Sequence, residues 1–432
     1  MQIFLVTLIG SFAILDSISV GLGEQERYGY AILAGLLVIM LLVGKRTSYP
    51  SPSMRRLVEL YAAFLAIGLA MVSFQPHIRW VYVVGDFTSL SMPFFVLLLA
   101  ARSRHQFFDT RLLFRLTVVL IAASIVPMVV PDSWSHHSGR FEEPPLILAV
   151  LTCVYLLRPS SAEQFILSLI VFGTVLLLTL VSGARSALLI YFASGGCLYL
   201  LGHVSRKIAV FGFVAAMCFC LVLNSGMIAD AIPKQWSELR IGRFIEQYQD
   251  EGALAGILED QSMNNRILEA EDALYERWHY HNWLQLFFGS GHGATFEGAT
   301  AFYGERALAD GQVHHIHFGL VLLYYRYGVP GLLVFAWLVV AAVRQLIRLK
   351  RLRMTPAEYY PALVFALGTL GYLAELLLFN QLVDPVLSLT IAGFLATRDS
   401  TISARRNSSR MPVRYSRRNP MRAYRLTQPR NI

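Results

Sequence analysis

Stretches of mostly apolar residues close to the length a helix needs to cross a bilayer, about twenty residues, recur along the chain. They fall around 3–20, 29–44, 57–74, 84–101, 112–130, 144–157, 164–181, 186–202, 208–223, 319–343, 360–379 and 384–397. The pattern predicts an all-α polytopic membrane protein with about twelve transmembrane helices. The 144–157 and 384–397 runs are short, so flanking residues or a thinned bilayer must complete them. The first run resembles a secretory leader in position only: no Lys or Arg precedes it and Asp16 sits near its end, which favours a first membrane helix.

Between the ninth and tenth runs the pattern changes. Residues 224–313 hold 14 of the 28 acidic residues, two helical-looking stretches (Ile241–Ile257 and Arg266–Leu286) and then a glycine-rich turn. A segment of this length exceeds a connector, so function is expected to concentrate in it. The organisation that follows is helices 1–9 over 1–223, a mainly helical loop domain over 224–313, an interfacial helix with helices 10–12 over 314–397, and a tail over 398–432.

Composition and charge sharpen this outline. Hydrophobic residues make up 55% of the chain and charged residues 15%, against roughly a quarter charged in an ordinary soluble protein. A soluble multidomain chain is excluded, because the excess apolar surface must face lipid. Basic residues mark orientation, since Lys and Arg accumulate in cytoplasmic loops. Alternate loops carry them (Lys45 with Arg46, Arg102 with Arg104, Arg206 with Lys207, Arg348 with Lys350), and the tail adds ten arginines, giving 26 of the 37 on one side. Both termini are then cytoplasmic and the long loop is external. The tail is rich in Arg, Ser, Asn and Pro and reads as disordered, holding the topology and attracting anionic lipid. The net charge of +9 does not indicate a nucleic-acid partner, because the basic residues are not gathered with stacking aromatics. Cys153, Cys197, Cys218 and Cys220 all fall inside apolar runs and form neither a disulfide framework nor a zinc motif.

Four constellations could carry chemistry. Arg185, between Ala184 and Ser186, ends a span on the external side; it either snorkels to the interface or binds an anion that its small neighbours admit. Arg266 follows Asn264 and Asn265 at the start of the long helical stretch, either solvated or aimed at a ligand. Gly289, Gly291 and Gly293 flank Ser290 and His292 in a run whose amides could form an anion-binding nest; the run lacks the ending and the context of a nucleotide site. His314, His315 and His317 precede Arg326 and Gly328-Val329-Pro330-Gly331. Their spacing is not a zinc-helix pattern. The Gly-Val-Pro-Gly stretch should break the helix, leaving His317 to Tyr327 as a short interfacial helix with His317 and Arg326 at the membrane surface.

Taken together these features resemble the O-antigen ligase and O-antigen polymerase family of bacterial membrane glycosyltransferases, whose members have about twelve spans and a large periplasmic loop between late helices. Topology matches over nearly the whole chain and motifs over residues 181–331. Ala184-Arg185-Ser186 resembles the family's Ser-Arg-Gly/Ser, Arg266 its loop-helix arginine, and Gly289 with Gly291 its Gly-x-Gly. His317 stands eleven residues before Gly328, as the family histidine stands before Gly-x-Pro-Gly, although Phe318 replaces the asparagine that commonly follows it.

The resemblance implies an inner-membrane enzyme that moves a glycan from undecaprenyl diphosphate to an acceptor hydroxyl at the periplasmic face, without nucleotide, metal or other cofactor. Arg185 and Arg266 would stabilise the departing diphosphate and His317 would act as base or orient the acceptor. Gly289, Gly291, Gly293, His314, His315 and Arg326 would bind substrate. The partners implied are the lipid-linked donor, a glycan or lipid A-core acceptor, the bilayer, and other polysaccharide-assembly membrane proteins. The divergence at Phe318 inclines the reading to a polymerase over a ligase. The rival class is a multispan transporter or flippase, to which intramembrane Asp16 and Glu375 would suit; against it, no repeated halves are visible.

Overall fold

The computed structural model describes residues 52–101, 109–129, 185–200, 261–280, 282–297, 312–314, 316–352, 354–377 and 385–410, with ten single positions besides. These residues are predominantly helical. In chain order they form α1 (Pro52–Ala70) with a 3-10 extension (Met71–Phe74), α2 (Trp80–Ala101), α3 (Thr110–Val129) and α4 (Arg185–Leu200). Next come α5 (Gln261–Tyr280), α6 (Trp283–Phe288), the two-residue strands β1 (Phe296–Glu297) and β2 (Gln312–Val313), then α7 (Gly319–Arg351), α8 (Pro356–Leu376) and α9 (Pro385–Arg410). Among the described residues, two stretches, Pro52–Phe74 and Gly319–Arg351, are long and apolar enough to cross a membrane.

Helices α1 to α4 and α7 to α9 fall on seven of the apolar runs. The runs 3–20, 29–44, 144–157, 164–181 and 208–223, and the stretch Ile241–Ile257, lie outside the described residues apart from single positions.

The core is built where α7 packs on α8, α8 on α9, α9 on α2 and α2 on α1, with α4 against α8. Phe365 and Phe394 are fully buried in it. A Cβ added to Gly393 would come 2.5 Å from the Phe365 ring, so the close approach of α8 and α9 depends on glycine at this position.

At one end of this bundle the helices are tied by polar caps. Asp399 of α9 accepts from the Ser53 amide (3.1 Å) and the Ser53 hydroxyl (2.8 Å), capping the start of α1. The Gln345 amide of α7 donates to the Thr401 hydroxyl at 3.0 Å. The tail boundary at residue 398 is thereby corrected: α9 continues to Arg410. The polar composition of 398–410 does not prevent helix here, because Asp399 and Thr401 have partners on α1 and α7.

Helix α7 is broken, as the Gly-Val-Pro-Gly stretch requires. Gly328 has φ 62° and ψ −150°, and Pro330 has no N–H to donate to the Arg326 carbonyl four residues earlier. The first arm starts at Gly319, with Phe318 as its N-cap, so His317 lies just outside the helix that it was expected to begin. Against this arm sit α5 and α6, at the end of the bundle opposite Asp399. An Asn282–Gln285 capping box opens α6. The strands pair antiparallel through Phe296 and Val313, which join Ala273, Ile316 and Tyr325 in a second small core.

Candidate functional site

Breaking α7 releases carbonyls that need donors, and the Gly289–Gly293 turn provides them. Ser290 N–H donates to Tyr325 O (2.7 Å) and Gly291 N–H to Arg326 O (3.2 Å). Gly289 N–H donates to Gln285 O, His292 N–H to Gly68 O, and Gly293 N–H to Asp86 Oδ2 at 2.6 Å. All five amides offered to an anion in the sequence reading are therefore engaged within the protein, and the turn caps the helix break where a nest had been expected.

Two glycines make that approach possible. Gly289 (φ 94°) and Gly328 (φ 62°) adopt left-handed backbone. A Cβ would lie 2.0 Å from Arg326 O at the first and 1.9 Å from Phe287 O at the second. Replacing Gly328 with Ala should cost more than about 3 kcal/mol, strain and backbone overlap combined. A thermal melt in detergent, beside the yield of monodisperse protein, checks this.

Arg277 of α5 fastens the same seam and is 0% exposed. It donates through Nη1 to Tyr325 O (2.8 Å) and Ser290 Oγ (3.2 Å), and through Nη2 to Leu286 O (3.1 Å) and Gln285 O. Its guanidinium lies 4.3 Å from the Tyr324 ring centroid. Gln75 Nε2 donates to Ser290 O (2.9 Å) and His292 O (2.7 Å), joining the turn to the end of α1.

Beneath the turn, Asp86 of α2 holds a charge cluster in which Arg326 is buried and Asp86 and His314 are half-buried. Its Oδ2 pairs with Arg326 Nη1 at 2.7 Å and its Oδ1 with His314 Nε2 at 3.1 Å. Arg326 Nη2 lies 3.3 Å from His314 Nδ1 and donates to His314 O at 3.2 Å, while Nη1 donates to Gly291 O. One tautomer satisfies this set: Nε2–H donating to Asp86 while Nδ1 accepts from Arg326. Tyr82 stacks on the His314 ring at 4.3 Å. Arg326 is 4% exposed, enclosed by its protein partners. Both ring nitrogens of His314 thus face protein partners.

Burial lowers the pKa of His314, and Arg326 lowers it further, against the opposing pull of Asp86. Burial likewise lowers that of His292, whose ring is 0% exposed and bonds through Nε2 to Leu65 O at 3.2 Å. A depressed folded-state value means that the unfolded chain binds more protons as pH falls through the ordinary imidazole value of 6.5. Stability should therefore be complete at pH 7.5 and decline from about pH 6.5 downward. Melting temperatures taken from pH 8 to pH 5 test the sign, and His292→Gln should flatten the decline.

The remaining cluster lies at the junction of α5 and α7. Glu269 is 1% exposed. Its Oε2 accepts from His317 Nδ1 at 2.6 Å and its Oε1 accepts from the His317 backbone N–H. With the proton on Nδ1, the imidazole lone pair resides on Nε2. Arg266 stands one helical turn before Glu269 on α5 and is half-buried. Phe318 caps α7 without a side-chain hydrogen bond. An asparagine there would be a favoured N-cap; with phenylalanine in its place that cap is absent, and the His317 clamp on Glu269 does not depend on it.

The structure thus pairs His317 with Glu269, with Arg266 one helical turn earlier on α5, and gathers Gly289, Gly291, Gly293, His314 and Arg326 into the neighbouring support. Arg185 opens α4, which packs on α8, but its side chain lies outside the described residues, as does His315. Sequence reasoning missed Glu269, Asp86 and Arg277. Asp86 had a signal, a carboxylate interrupting an apolar run; Glu269 and Arg277 had only the register of α5, whose buried positions include 269, 270, 273 and 277. No family model matches the chain, and no curated protein matches it.

Proposed function

We propose that this chain is a bacterial inner-membrane glycosyltransferase of the O-antigen polymerase and ligase type, with about twelve spans, both termini cytoplasmic and the α5–α6 loop periplasmic. The observation that carries the reading is the histidine held by a buried carboxylate one helical turn from Arg266. A base oriented by a carboxylate beside a fixed cation suits attack by a hydroxyl on a diphosphate-activated sugar.

In this mechanism the acceptor hydroxyl forms a bond to the anomeric carbon as the bond from that carbon to the diphosphate oxygen breaks. The proton passes to His317 Nε2, and the leaving undecaprenyl diphosphate carries away the electron pair. Arg266 and Arg185 stabilise its growing negative charge, for which a guanidinium fork is well shaped. A single displacement inverts configuration and uses no metal. The reaction favoured is polymerisation of lipid-linked repeat units, with transfer of the finished glycan to lipid A-core as the alternative.

The test is to replace Arg185, Arg266 and His317 singly by alanine in cells, measuring surface glycan and protein abundance together. Loss of glycan at normal abundance supports the reading. Normal glycan from both Arg185→Ala and His317→Ala defeats it. A deletion strain separates the alternatives: single lipid-linked repeats indicate a polymerase, and accumulated long carrier-bound chains indicate a ligase.

A further inference from the structure

The loop helices present their apolar side chains outward. In α6, of sequence Trp-Leu-Gln-Leu-Phe-Phe, the one polar residue is turned inward. Gln285 is 5% exposed and donates through Nε2 to Phe74 O at 3.1 Å, whereas Trp283 is 71% and Phe287 46% exposed. The outward side of α5 continues this surface with Leu268, Tyr275 and Trp278, the last 64% exposed, although Glu271 and His279 are exposed among them. An inside-out arrangement of this kind is unfavourable against water and favourable against lipid.

Its location identifies the occupant. The Gln285 bond fixes α6 to the end of the Pro52–Phe74 stretch, which is long and apolar enough to cross a membrane. Phe74 at that end is itself exposed, and α2 starts nearby in sequence with exposed Trp80, Val81 and Val84. The outward face of α6 thus continues the lipid-facing surface of a spanning helix at the depth where it leaves the hydrocarbon. Tryptophan is the side chain best suited to that boundary, with an apolar ring and one N–H for the headgroup layer.

We propose that α6 and the outer stripe of α5 lie in the headgroup and upper acyl region of the outer leaflet, anchored by Trp278, Trp283 and Phe287. The loop would then be pinned to the bilayer surface, and the Glu269–His317 seam on the inner face of α5 held at headgroup depth. The inference rests on the external placement of the loop in the proposed topology and not on the glycosyl-transfer chemistry.

The full-length protein is reconstituted in phosphatidylcholine vesicles carrying bromine either near the top of the acyl chains or near their ends. Tryptophan emission is compared among the unaltered protein, Trp283→Phe and Trp337→Phe. Trp337 lies within the long arm of α7 and is the deeper reporter in the proposed topology. Trp283→Phe should lose emission sensitive to shallow bromine, and Trp337→Phe emission sensitive to deep bromine. If Trp337 is quenched by lipid while Trp283 is quenched only by aqueous iodide, the anchor is overturned and the spanning topology stands. Protection of Trp283 from both bromine and iodide also overturns it, pointing to a protein partner or a second copy on this face. Lack of lipid quenching at both residues removes the membrane setting and the proposal with it.

Discussion

On the proposed glycosyl-transfer reading, Glu269→Gln should lower the turnover of the purified protein on a lipid-linked repeat unit by about 10- to 100-fold, toward the 10²–10⁴-fold loss expected for His317→Ala. The reason lies in donor and acceptor count. The His317 backbone N–H and Nδ1–H both donate to the one carboxylate. Glutamine supplies a single acceptor oxygen and sets its own N–H₂ against the second donor, so the ring loses either its orientation or its tautomer. Turnover should fall with the apparent KM for the lipid-linked donor nearly unchanged, because orientation of a base acts in the transition state. A merely structural role for Glu269 would instead lower melting temperature and folded yield in proportion to activity. Equal turnover of the variant and the unaltered enzyme would remove His317 as an oriented base.

Asp86→Ala should destabilise the folded chain by about 3–5 kcal/mol, the scale for removing one partner of a buried ion pair. Arg326 would keep its charge at 4% exposure with no carboxylate, and the Gly293 N–H and His314 Nε2–H would both lose their acceptor. The penalty is that of the stranded cation and not the net worth of the pair. Asp86→Asn combined with Arg326→Met should therefore recover part of the loss, since removing both charges is far milder than removing one. Thermal unfolding of the single and double variants in the same detergent decides the matter. A double variant no more stable than Asp86→Ala would show that the cluster acts through something other than charge pairing.

Much of the architecture was legible in the sequence because it is periodic or compositional. Apolar runs marked the positions of α1 to α4 and α7 to α9, and Pro330 after Gly328 marked the break in α7, since a missing N–H is a local fact. The end of α9 was not legible. Composition placed a boundary at residue 398, but the helix continues because Asp399 and Thr401 meet Ser53 and Gln345, residues distant along the chain. A glycine-rich run likewise states that the backbone can turn, without saying which acceptors its amides will meet.

What the sequence determines by itself, then, is which segments are helical and apolar, where the chain must break, and which side chains could carry charge or take up a proton. The tertiary structure alone decides their pairing. It turns the Ser290 and Gly291 amides to the carbonyls freed at the α7 break, pairs Arg326 with the Asp86 carboxylate, and sets Glu269 against His317 across 48 residues. The physical reason is that an unpaired buried polar group is costly wherever it lies along the chain. Partners are selected by proximity in the folded state, which no local pattern encodes.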